Sequence, residues 1–461
     1  DLIVEMGDKN AKHLNMSRRQ YLQTSCGMAT AFLAMNTIYG GGVFQVSEAE
    51  ARDPEMMLER TARVEGQFIF DDQTHFLRDD FPHEAILGLG EFAAEHWNPK
   101  LKEEGLSLTR YKFENYIAEL WYRSDTKMSL LSGAPFDDPT WWLLHNDQIV
   151  AARDMINDFA GSQRMLGHTV ITPGQDGWMD EVDRAIEVLK PDSWKSYTIG
   201  DPLSPSKYPW RLDDEKLMYP FYEKAVKAYR NGGPKPVICI HKGLLPPDYE
   251  TSFKGVWQYA TVDDVPKAAQ DWPEMNFVIY HSALRPFLEL PDQAWNEFEE
   301  SGGYIKWSSD LAAIPEKYGV SNVYAEIGST FANSAVAHPR FCAAFISTLV
   351  KGMGADHVVW GTDTVWYGSP QWQIEAMRRL EVPEDMQKKY DLPALGGENS
   401  LTKQAIFGLN SARLYELGLN EAKNLPDMPS FSEDKIGQLA ERFKEEGGKP
   451  SNKRYGLVRT A

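Results

Sequence analysis

Residues 236–241 have the sequence PVICIH, and residues 276–281 have the sequence NFVIYH. Each is a short run of apolar residues, several of them β-branched, that ends in a histidine. Runs of this length and composition predict β-strands. Six further runs have a similar character, and they lie at residues 67–71, 127–132, 168–172, 193–199, 323–327 and 357–361.

Stretches with the spacing of amphipathic helices separate several of these runs, for example at residues 141–166, 176–189 and 217–231. Strands that alternate with helices predict parallel pairing through right-handed crossovers. Eight such units predict an α/β fold in the form of a closed (β/α)8 barrel. The alternative is an open, doubly wound sheet, which usually carries a glycine-rich phosphate loop after its first strand. The first run here continues into Asp-Asp-Gln-Thr-His, and no such loop motif occurs in the chain.

The composition narrows the classes of function. The chain has 461 residues and a formal net charge of −19 at pH 7. A surface this acidic repels phosphate groups, which argues against a nucleic-acid partner. Its three cysteines are widely separated, so they predict neither a disulfide framework nor a thiolate zinc site. The expected partners are a small-molecule substrate and further copies of the same chain.

The N-terminal segment contains the pair Arg18-Arg19, followed by Gln-Tyr-Leu and a short apolar stretch of small residues at 26–35. This resembles a twin-arginine export signal, and the stretch is too short to span a bilayer. We therefore expect export to the periplasm or the cell exterior, and we expect a chain that starts near Ala51 to fold. The alternative is an ordinary surface helix in a cytoplasmic protein that retains the segment as an arm.

The predicted organisation has three parts. Residues 1–60 form the signal segment and arm, residues 61–423 the barrel, and residues 424–461 a polar, loosely packed extension. Residues 76–126 are a long insertion after the first strand. Loops rich in Pro and Trp follow the fourth, fifth and eighth strands, at residues 198–210, 243–257 and 364–372.

Four of the predicted strands end in side chains that bind metals or transfer protons. His75 follows the first strand, His241 ends the fifth, His281 ends the sixth, and Asp363 follows the eighth. A lone histidine in such a position is more often structural. However, active sites of (β/α)8 barrels lie where the carboxyl ends of the strands meet. If the barrel forms, these four side chains converge on one mouth and predict an active site there.

This pattern resembles the amidohydrolase-related superfamily, in particular its branch of decarboxylases and hydrolases with a single divalent metal. That branch has Asp-x-His-x-His after strand one, His after strands five and six, and Asp after strand eight. The resemblance covers roughly residues 67–417, and it includes residues 406–414, IFGLNSARL, which resemble the closing helix of the branch. It implies that His75, His241 and Asp363 bind one metal ion, Zn²⁺ or Mn²⁺, and that His281 lies beside the substrate.

One residue departs from the pattern of the branch. Gln73 occupies the position of the first histidine of the His-x-His pair. An amide oxygen is a weak, neutral ligand, so the metal affinity should fall or the coordination should shift, with Gln73 as a candidate fourth ligand. Asp71 or Asp72 is a candidate to compensate. Strand alternation places Asp71 on the same side as Gln73 and Asp72 on the other.

Three charged residues near the strand ends have both a functional and a structural interpretation. Lys195 on strand four has three interpretations: a metal-bridging carbamate, a substrate-binding cation, or one partner of an ion pair at the rim of the barrel. Arg285 beyond strand six either binds a substrate carboxylate through its planar guanidinium or forms a structural ion pair. Glu326 on strand seven either orients a metal ligand or forms a structural ion pair. The histidines interpreted as non-catalytic are His83, His96, His145, His338 and His357.

The resemblance implies a metal-dependent hydrolase in which a metal-activated water attacks the carbonyl of an amide, ester or lactone. Asp363 would accept a proton, and His281 would donate a hydrogen bond to the developing oxyanion. The first alternative is a non-oxidative, metal-dependent decarboxylase of an aromatic or unsaturated acid, in which the first ligand position is variable. The second alternative is a catalytically silent barrel that acts as a binding or assembly subunit, which Gln73 and the retained arm suggest.

Overall fold

The structure is a computed structural model, and it describes residues 2–448 except 97, 99, 100, 103, 104, 246, 247, 286–290, 421–424 and 427–429. All eight predicted strands are present. They are β1 (Phe70–Thr74), β2 (Met128–Leu131), β3 (Met165–Val170), β4 (Ser193–Tyr197), β5 (Val237–His241), β6 (Asn276–Tyr280), β7 (Val323–Glu326) and β8 (Val358–Val359). A short antiparallel pair, β9 (Leu419–Asn420) and β10 (Leu425–Pro426), follows the barrel.

The eight strands form one parallel sheet in chain order, from β1 to β8. The sheet closes where β1 meets the residues after β8. There the main-chain amide of Asp72 donates to the carbonyl of Trp360, and the amide of Asp363 donates to the carbonyl of Gln73, both at 2.9 Å. A bridge between Thr74 and Thr364 continues this seam. The predicted (β/α)8 barrel is confirmed.

Helices cover the outside of the barrel and its ends. The described α-helices are Leu2–His13, Arg18–Tyr21, Ser25–Tyr39, Pro54–Val64, Gly88–His96, Phe113–Ile117, Asn146–Ala160, Trp178–Arg184, Tyr219–Arg230, Tyr249–Ser252, Val265–Asp271, Pro291–Glu300, Ser308–Tyr318, Thr330–Ala337, Pro339–Met353, Gln371–Arg379, Glu384–Tyr390, Leu401–Gln404, Asn410–Leu414 and Lys435–Glu445. The helical stretch predicted at 141–166 is shorter than expected, because Gly161 takes a left-handed conformation (φ 75°) and ends the helix there.

Two apolar cores hold the barrel together, one inside the strands and one between the strands and the helices. On β6, Val278 and Tyr280 belong to the inner core, whereas Phe277 and Ile279 belong to the outer core. This is the period-two alternation of a strand, and it lets one short run fill both cores. The inner core occupies the barrel below its mouth, so the polar strand ends are left to form a site.

The N-terminal arm, residues 2–60, packs on the barrel. Phe32 and Phe44 are buried in the outer core. The guanidinium of Arg379 lies 5.3 Å from the centre of the Phe32 ring, and it pairs with Glu50 at 2.7 Å. The arm is therefore packed against the barrel, and the expectation that a chain starting near Ala51 folds without it stays a prediction. An export role for the Arg18-Arg19 motif stays a prediction. Within the part of the chain that is described, no helix has both the length and the apolar character needed to cross a bilayer.

The described part of the C-terminal extension, residues 430–448, packs closely on the barrel, contrary to expectation. Ile436 of the helix Lys435–Glu445 is only 1% exposed. Asp434 caps this helix and pairs with Arg164 at 2.5 Å, and both side chains are nearly buried. The charged pair ties the extension to the start of β3. The basic end of the extension lies outside the described residues.

Candidate active site

The predicted site residues come together at the carboxyl ends of the strands. Gln73 lies on β1 and His75 directly follows it; His241 ends β5, His281 follows β6, and Asp363 follows β8. All five side chains line one cavity of about 440 Å³. The site predicted from four separate strand ends is therefore assembled by the barrel.

Each of the three imidazoles binds a main-chain carbonyl through one ring nitrogen. Nδ1 of His75 lies 2.8 Å from the carbonyl oxygen of Ser132, and Nδ1 of His281 lies 2.7 Å from that of Gly328. A carbonyl oxygen only accepts, so Nδ1 carries the proton in both rings and Nε2 faces the cavity. His241 is turned the other way, with Nε2 3.1 Å from its carbonyl partner and Nδ1 without one among the described residues. Metal-binding histidines are typically oriented by such contacts.

The amide group of Gln73 lies at the centre of the cluster. Its nitrogen is 3.2 Å from Oδ1 of Asp363, 3.4 Å from Nε2 of His281 and 3.5 Å from Nε2 of His75. Its oxygen is buried and has no hydrogen-bond partner among the described residues. The pairing of β1 with β2 is irregular between Asp71 and Thr74. Such irregularities redirect side chains near active sites, and sequence alternation could not predict this one.

Asp363 is the ionised acid of the site. Burial alone would raise its pKa, but the hydrogen bond and charge of His75 (Nε2 to Oδ1, 3.2 Å), with smaller contributions from His281 and Ser329, outweigh burial. The pKa of Asp363 falls to about 2 as a result. Ser329 donates its hydroxyl proton to Oδ2 of Asp363, and its oxygen lies 2.7 Å from the hydroxyl of Tyr367. Asp363 is thus a carboxylate held in place on both oxygens.

Burial keeps two of the imidazoles neutral. It lowers the pKa of His281 to about 4 and the pKa of His241 well below the ordinary range. Since Nδ1 of His281 already donates to a carbonyl, its Nε2 accepts rather than donates at neutral pH. The predicted role of His281 as a hydrogen-bond donor to an oxyanion does not fit this proton arrangement. A neutral ring with a free nitrogen fits a metal ligand.

The backbone is strained at the residues that carry the site. His281, Ser329 and Asp363 have φ values of 64°, 57° and 59°. Non-glycine residues rarely occupy this left-handed region, which costs on the order of 1–3 kcal/mol for each residue. The three positions follow β6, β7 and β8, where the chain must turn sharply to aim a side chain across the mouth.

Glu326 stabilises the backbone beside the site through hydrogen bonds. Its carboxyl oxygens accept hydrogen bonds from the main-chain amides of His281, at 3.0 Å, and Gly328, at 2.5 Å. Burial raises the pKa of this carboxyl well above its ordinary value. Gly361 leaves the space that Glu326 fills, because a Cβ atom at position 361 would collide with the carboxyl group. Glu326 thus holds the backbone of His281 in place, and its role in orienting a metal ligand stays a prediction.

The structure does not bring Lys195 and Arg285 into the described lining of the cavity. The ammonium of Lys195 lies inside the barrel, 3.3 Å from the centre of the Tyr280 ring, and burial lowers its pKa to about 7. Arg285 binds both carboxylate oxygens of Glu250 at 2.6–2.7 Å. Neither arrangement presents a cation to a ligand in the cavity, so their substrate-binding roles stay predictions without structural support.

The two acids that could replace the missing histidine are engaged elsewhere. Asp71 accepts a hydrogen bond from the main-chain amide of Thr362 at 2.9 Å, and its pKa rises to about 7 because it is buried. Asp72 accepts a hydrogen bond from the hydroxyl of Ser411. Neither lines the cavity as described. The five histidines interpreted as non-catalytic also lie outside that lining.

Much of the cavity wall was not predicted. The insertion after β1 supplies Ile86, Leu89 and Phe92, and the segment after β2 supplies Phe136 and Leu143. Apolar residues on short helices carry no chemical signature, so no pattern in the sequence selects them. Four polar residues of the lining were also missed, namely Tyr197, Ser329, Asn333 and Tyr367. By contrast, the three loops rich in Pro and Trp were recognised, and each contributes to the lining.

The donor set fits a divalent cation in its chemistry. It offers imidazole nitrogens that point inward, the carboxylate of Asp363, the unpartnered Nδ1 of His241 and the unpartnered oxygen of Gln73. As the described side chains stand, however, no three of the His, Cys, Asp and Glu residues form a metal-binding group. The amide nitrogen of Gln73 stands among these groups and donates to Oδ1 of Asp363 at 3.2 Å, where a cation would need an acceptor. A half-turn of this amide would present its oxygen instead.

Comparison with known proteins adds little to this picture. No protein-family model matches the chain, and no curated protein matches it. Similar solved structures include an uncharacterized TIM-barrel protein from Bordetella bronchiseptica, with a TM-score of 0.45 and 13% identity over 76% of this chain and 98% of that one. A 2,6-dihydroxybenzoate decarboxylase from Rhizobium has a TM-score of 0.42 and 14% identity, over 76% and 99% of the two chains. A 5-carboxyvanillate decarboxylase from Novosphingobium aromaticivorans, complexed with manganese, has a TM-score of 0.42 and 15% identity, over 77% and 97%.

Sequence identity and structural similarity this low carry no conclusion about the chemistry of the chain. The fold and the site define a (β/α)8-barrel protein with a cluster of imidazole, carboxylate and amide groups at the carboxyl end of its strands.

Proposed function

We propose that this chain is a metal-dependent hydrolase that cleaves an amide, ester or lactone bond of a small molecule. The observation that carries the proposal is the convergence of His75, His281 and Asp363 on one point, with His241 beside them, at the mouth of the barrel. Neutral imidazoles and a carboxylate that meet at the carboxyl ends of parallel strands are a donor set for Zn²⁺ or Mn²⁺.

The ligands in this proposal are His75, His281 and Asp363, completed by His241 and the oxygen of Gln73. When bound, a divalent ion supplies Lewis acidity, which makes water easier to deprotonate and a carbonyl carbon easier to attack. His281 is a metal ligand in this proposal, whereas the sequence pattern placed it beside the substrate. Its Nε2 is as close to the centre of the cluster as that of His75.

Asp363 accepts the proton of the attacking water. Its pKa of about 2 keeps it ionised at neutral pH, and the hydroxyl of Ser329 holds its second oxygen in place. The hydroxyls of Tyr197 and Tyr367 line the same cavity, and burial raises the pKa of both, so they stay protonated. The hydroxyl of Tyr197 can donate a hydrogen bond to an oxygen that gains negative charge during the reaction, whereas the hydroxyl of Tyr367 is directed to Ser329.

A decarboxylase of an aromatic or unsaturated acid is the first alternative. In that reaction the metal ion, when bound, would hold the substrate carboxylate, because Arg285 is already bound to Glu250. The second candidate is the silent barrel, favoured by the amide nitrogen of Gln73, which donates to Asp363 at the centre of the site in the place of an ion. We also propose that the Arg18-Arg19 segment directs export, which rests on its sequence motif alone, and that the chain forms a homo-oligomer.

Asp363→Asn tests the proposed chemistry. We expect turnover of a responsive amide, ester or lactone to fall by about 10²–10⁴, because an asparagine cannot accept the proton. Metal content should fall much less, since the imidazoles remain. Product analysis with matched aromatic esters and acids separates hydrolysis from loss of carbon dioxide. Unchanged activity in the variant would place the base elsewhere, with Lys195 as the next candidate.

A further inference from the structure

We propose that the substrate is uncharged outside its reacting bond: one polar reacting group joined to an apolar body that carries no ionised group. This rests on the proposed function, because it takes the cavity of His75 and Asp363 as the active site. It concerns the part of the substrate that lies away from the bond to be cleaved.

The polar groups of the cavity are concentrated on the strand ends and on the residues just after them. The insertion after β1 and the segment after β2 contribute hydrocarbon side chains instead, including Ile86, Leu89, Phe92, Phe136 and Leu143. Leu89 is 40% exposed and Leu203 is 54% exposed, although both line the cavity, so the apolar surface reaches its opening. A ligand therefore passes apolar surface on entry and rests its body against it.

Among the described residues, the lining holds no lysine or arginine that could neutralise an acidic group on that body. Arg285 is engaged by Glu250 and lies over the ring of Tyr249, with its guanidinium carbon 4.3 Å from the ring centre. Arg78 donates to the carbonyl oxygen of Thr140 at 2.7 Å and pairs with Asp80 at 3.0 Å.

An ionised carboxylate on the body of a ligand would lose its hydration against the apolar side chains of this cavity, and the described lining has no Lys or Arg to offset the loss. That exchange is strongly unfavourable, because a buried charge needs a counter-charge or several hydrogen bonds. A ring without charge would gain from the same burial. The aromatic rings of Trp141 and Trp366 in the lining offer further contact area for a planar apolar body.

Equilibrium binding to the full chain tests this, with naphthalene-2-carboxamide and its 6-carboxy derivative as a matched pair of probes. Titrations followed by tryptophan fluorescence and by calorimetry, with and without saturating Zn²⁺, measure affinity and not turnover. We expect the neutral amide to bind and the acid to bind at least about tenfold more weakly in the metal-free chain, where its carboxylate has no ion to bind at the reacting end. Phe92→Ala should weaken binding of the amide several-fold. Leu58→Ala, at a side chain 70% exposed on the arm, should leave it unchanged.

Binding of the acid to the metal-free chain as tight as that of the amide, or no binding of either probe, would overturn the proposal. An equal loss of affinity in Phe92→Ala and Leu58→Ala would do the same. The proposed function fails by a different result, namely full activity of Asp363→Asn. The two failures are therefore distinguishable.

Discussion

The side-chain nitrogen of Gln73 lies 3.2 Å from Oδ1 of Asp363, where it donates a hydrogen bond to the carboxylate. With the amide turned by half a turn, its oxygen would face that carboxylate and repel it, unless a cation stood between them. The orientation of Gln73 and the binding of an ion are therefore coupled. A donor nitrogen suits the site without an ion, and an acceptor oxygen suits the site with one.

Replacing Gln73 by histidine tests this coupling. Gln73→His puts a stronger ligand beside His75 and removes the amide that competes for the acceptors. We expect the affinity for Zn²⁺ to rise by on the order of tenfold or more, measured by competition with a chelating dye. Gln438→His, at an exposed position on the C-terminal helix, is the control and should leave the affinity unchanged. Weaker binding in Gln73→His would mean that the amide oxygen is a required ligand.

Ser329 should set the pH range in which Asp363 works as a base. Its hydroxyl stabilises the ionised carboxylate, so Ser329→Ala should raise the pKa of Asp363 from about 2. A base is active when ionised, so the acid limb of the pH–rate profile should move to higher pH. We expect kcat/KM to fall by about tenfold or more, because the free energy of one hydrogen bond to a charged group corresponds to a factor of this size. Tyr367→Phe removes a hydroxyl that contacts Ser329 and not the carboxylate directly, so it should have a smaller effect. An unchanged acid limb in Ser329→Ala would contradict the assignment of Asp363 as the base.

The fold could be predicted from the sequence because each strand is a distinct run that ends in a turn or a polar residue. The same pattern located His75, His241, His281 and Asp363, since strand ends of a barrel share one mouth. The orientation of Gln73 could not be predicted, because it depends on an irregularity in the pairing of β1. Ser329 and Tyr367 carry common hydroxyl groups that become distinctive only when they meet Asp363. Arg285 looked available because its partner, Glu250, lies on a different loop.

Lys195 should affect stability more than turnover. Burial lowers its pKa from the ordinary 10.5 to about 7, so between these values the folded state binds fewer protons than the unfolded state. The free energy of unfolding therefore rises as the pH rises from about 7 to 10.5. Below pH 7 the buried ammonium is charged, and its full cost to stability applies. Lys195→Met should stabilise the protein at pH 7, flatten this rise, and leave turnover close to wild type.

Lys403→Met is the matched control for Lys195. Lys403 is also buried with a pKa lowered to about 7, but it donates to the main-chain carbonyl of Arg378, away from the cavity. Denaturant unfolding at several pH values measures both variants. A loss of turnover in Lys195→Met alone would restore a catalytic role for Lys195.

The N-terminal arm should be needed for stability. Glu50→Gln leaves the guanidinium of Arg379, which is 0% exposed, without its closest charged partner. Breaking a buried pair in this way costs on the order of 3 kcal/mol of unfolding free energy. Glu48→Gln removes an exposed pair with Arg52, at a side chain 76% exposed, and should cost less than about 0.5 kcal/mol. Equal stability of the two variants, or a stable and active chain that starts near Ala51, would show that the barrel does not depend on the arm.

The most direct test of the account is the metal content of the full chain, measured by elemental analysis after purification without added metal. We predict about one equivalent of Zn or Mn for each chain, a strong reduction in His75→Ala and in His281→Ala, and no change in His338→Ala, whose ring caps a helix outside the cavity. A chain that holds no metal, even after dialysis against Zn²⁺ and Mn²⁺, would contradict the metal-dependent hydrolase and leave the silent barrel in its place.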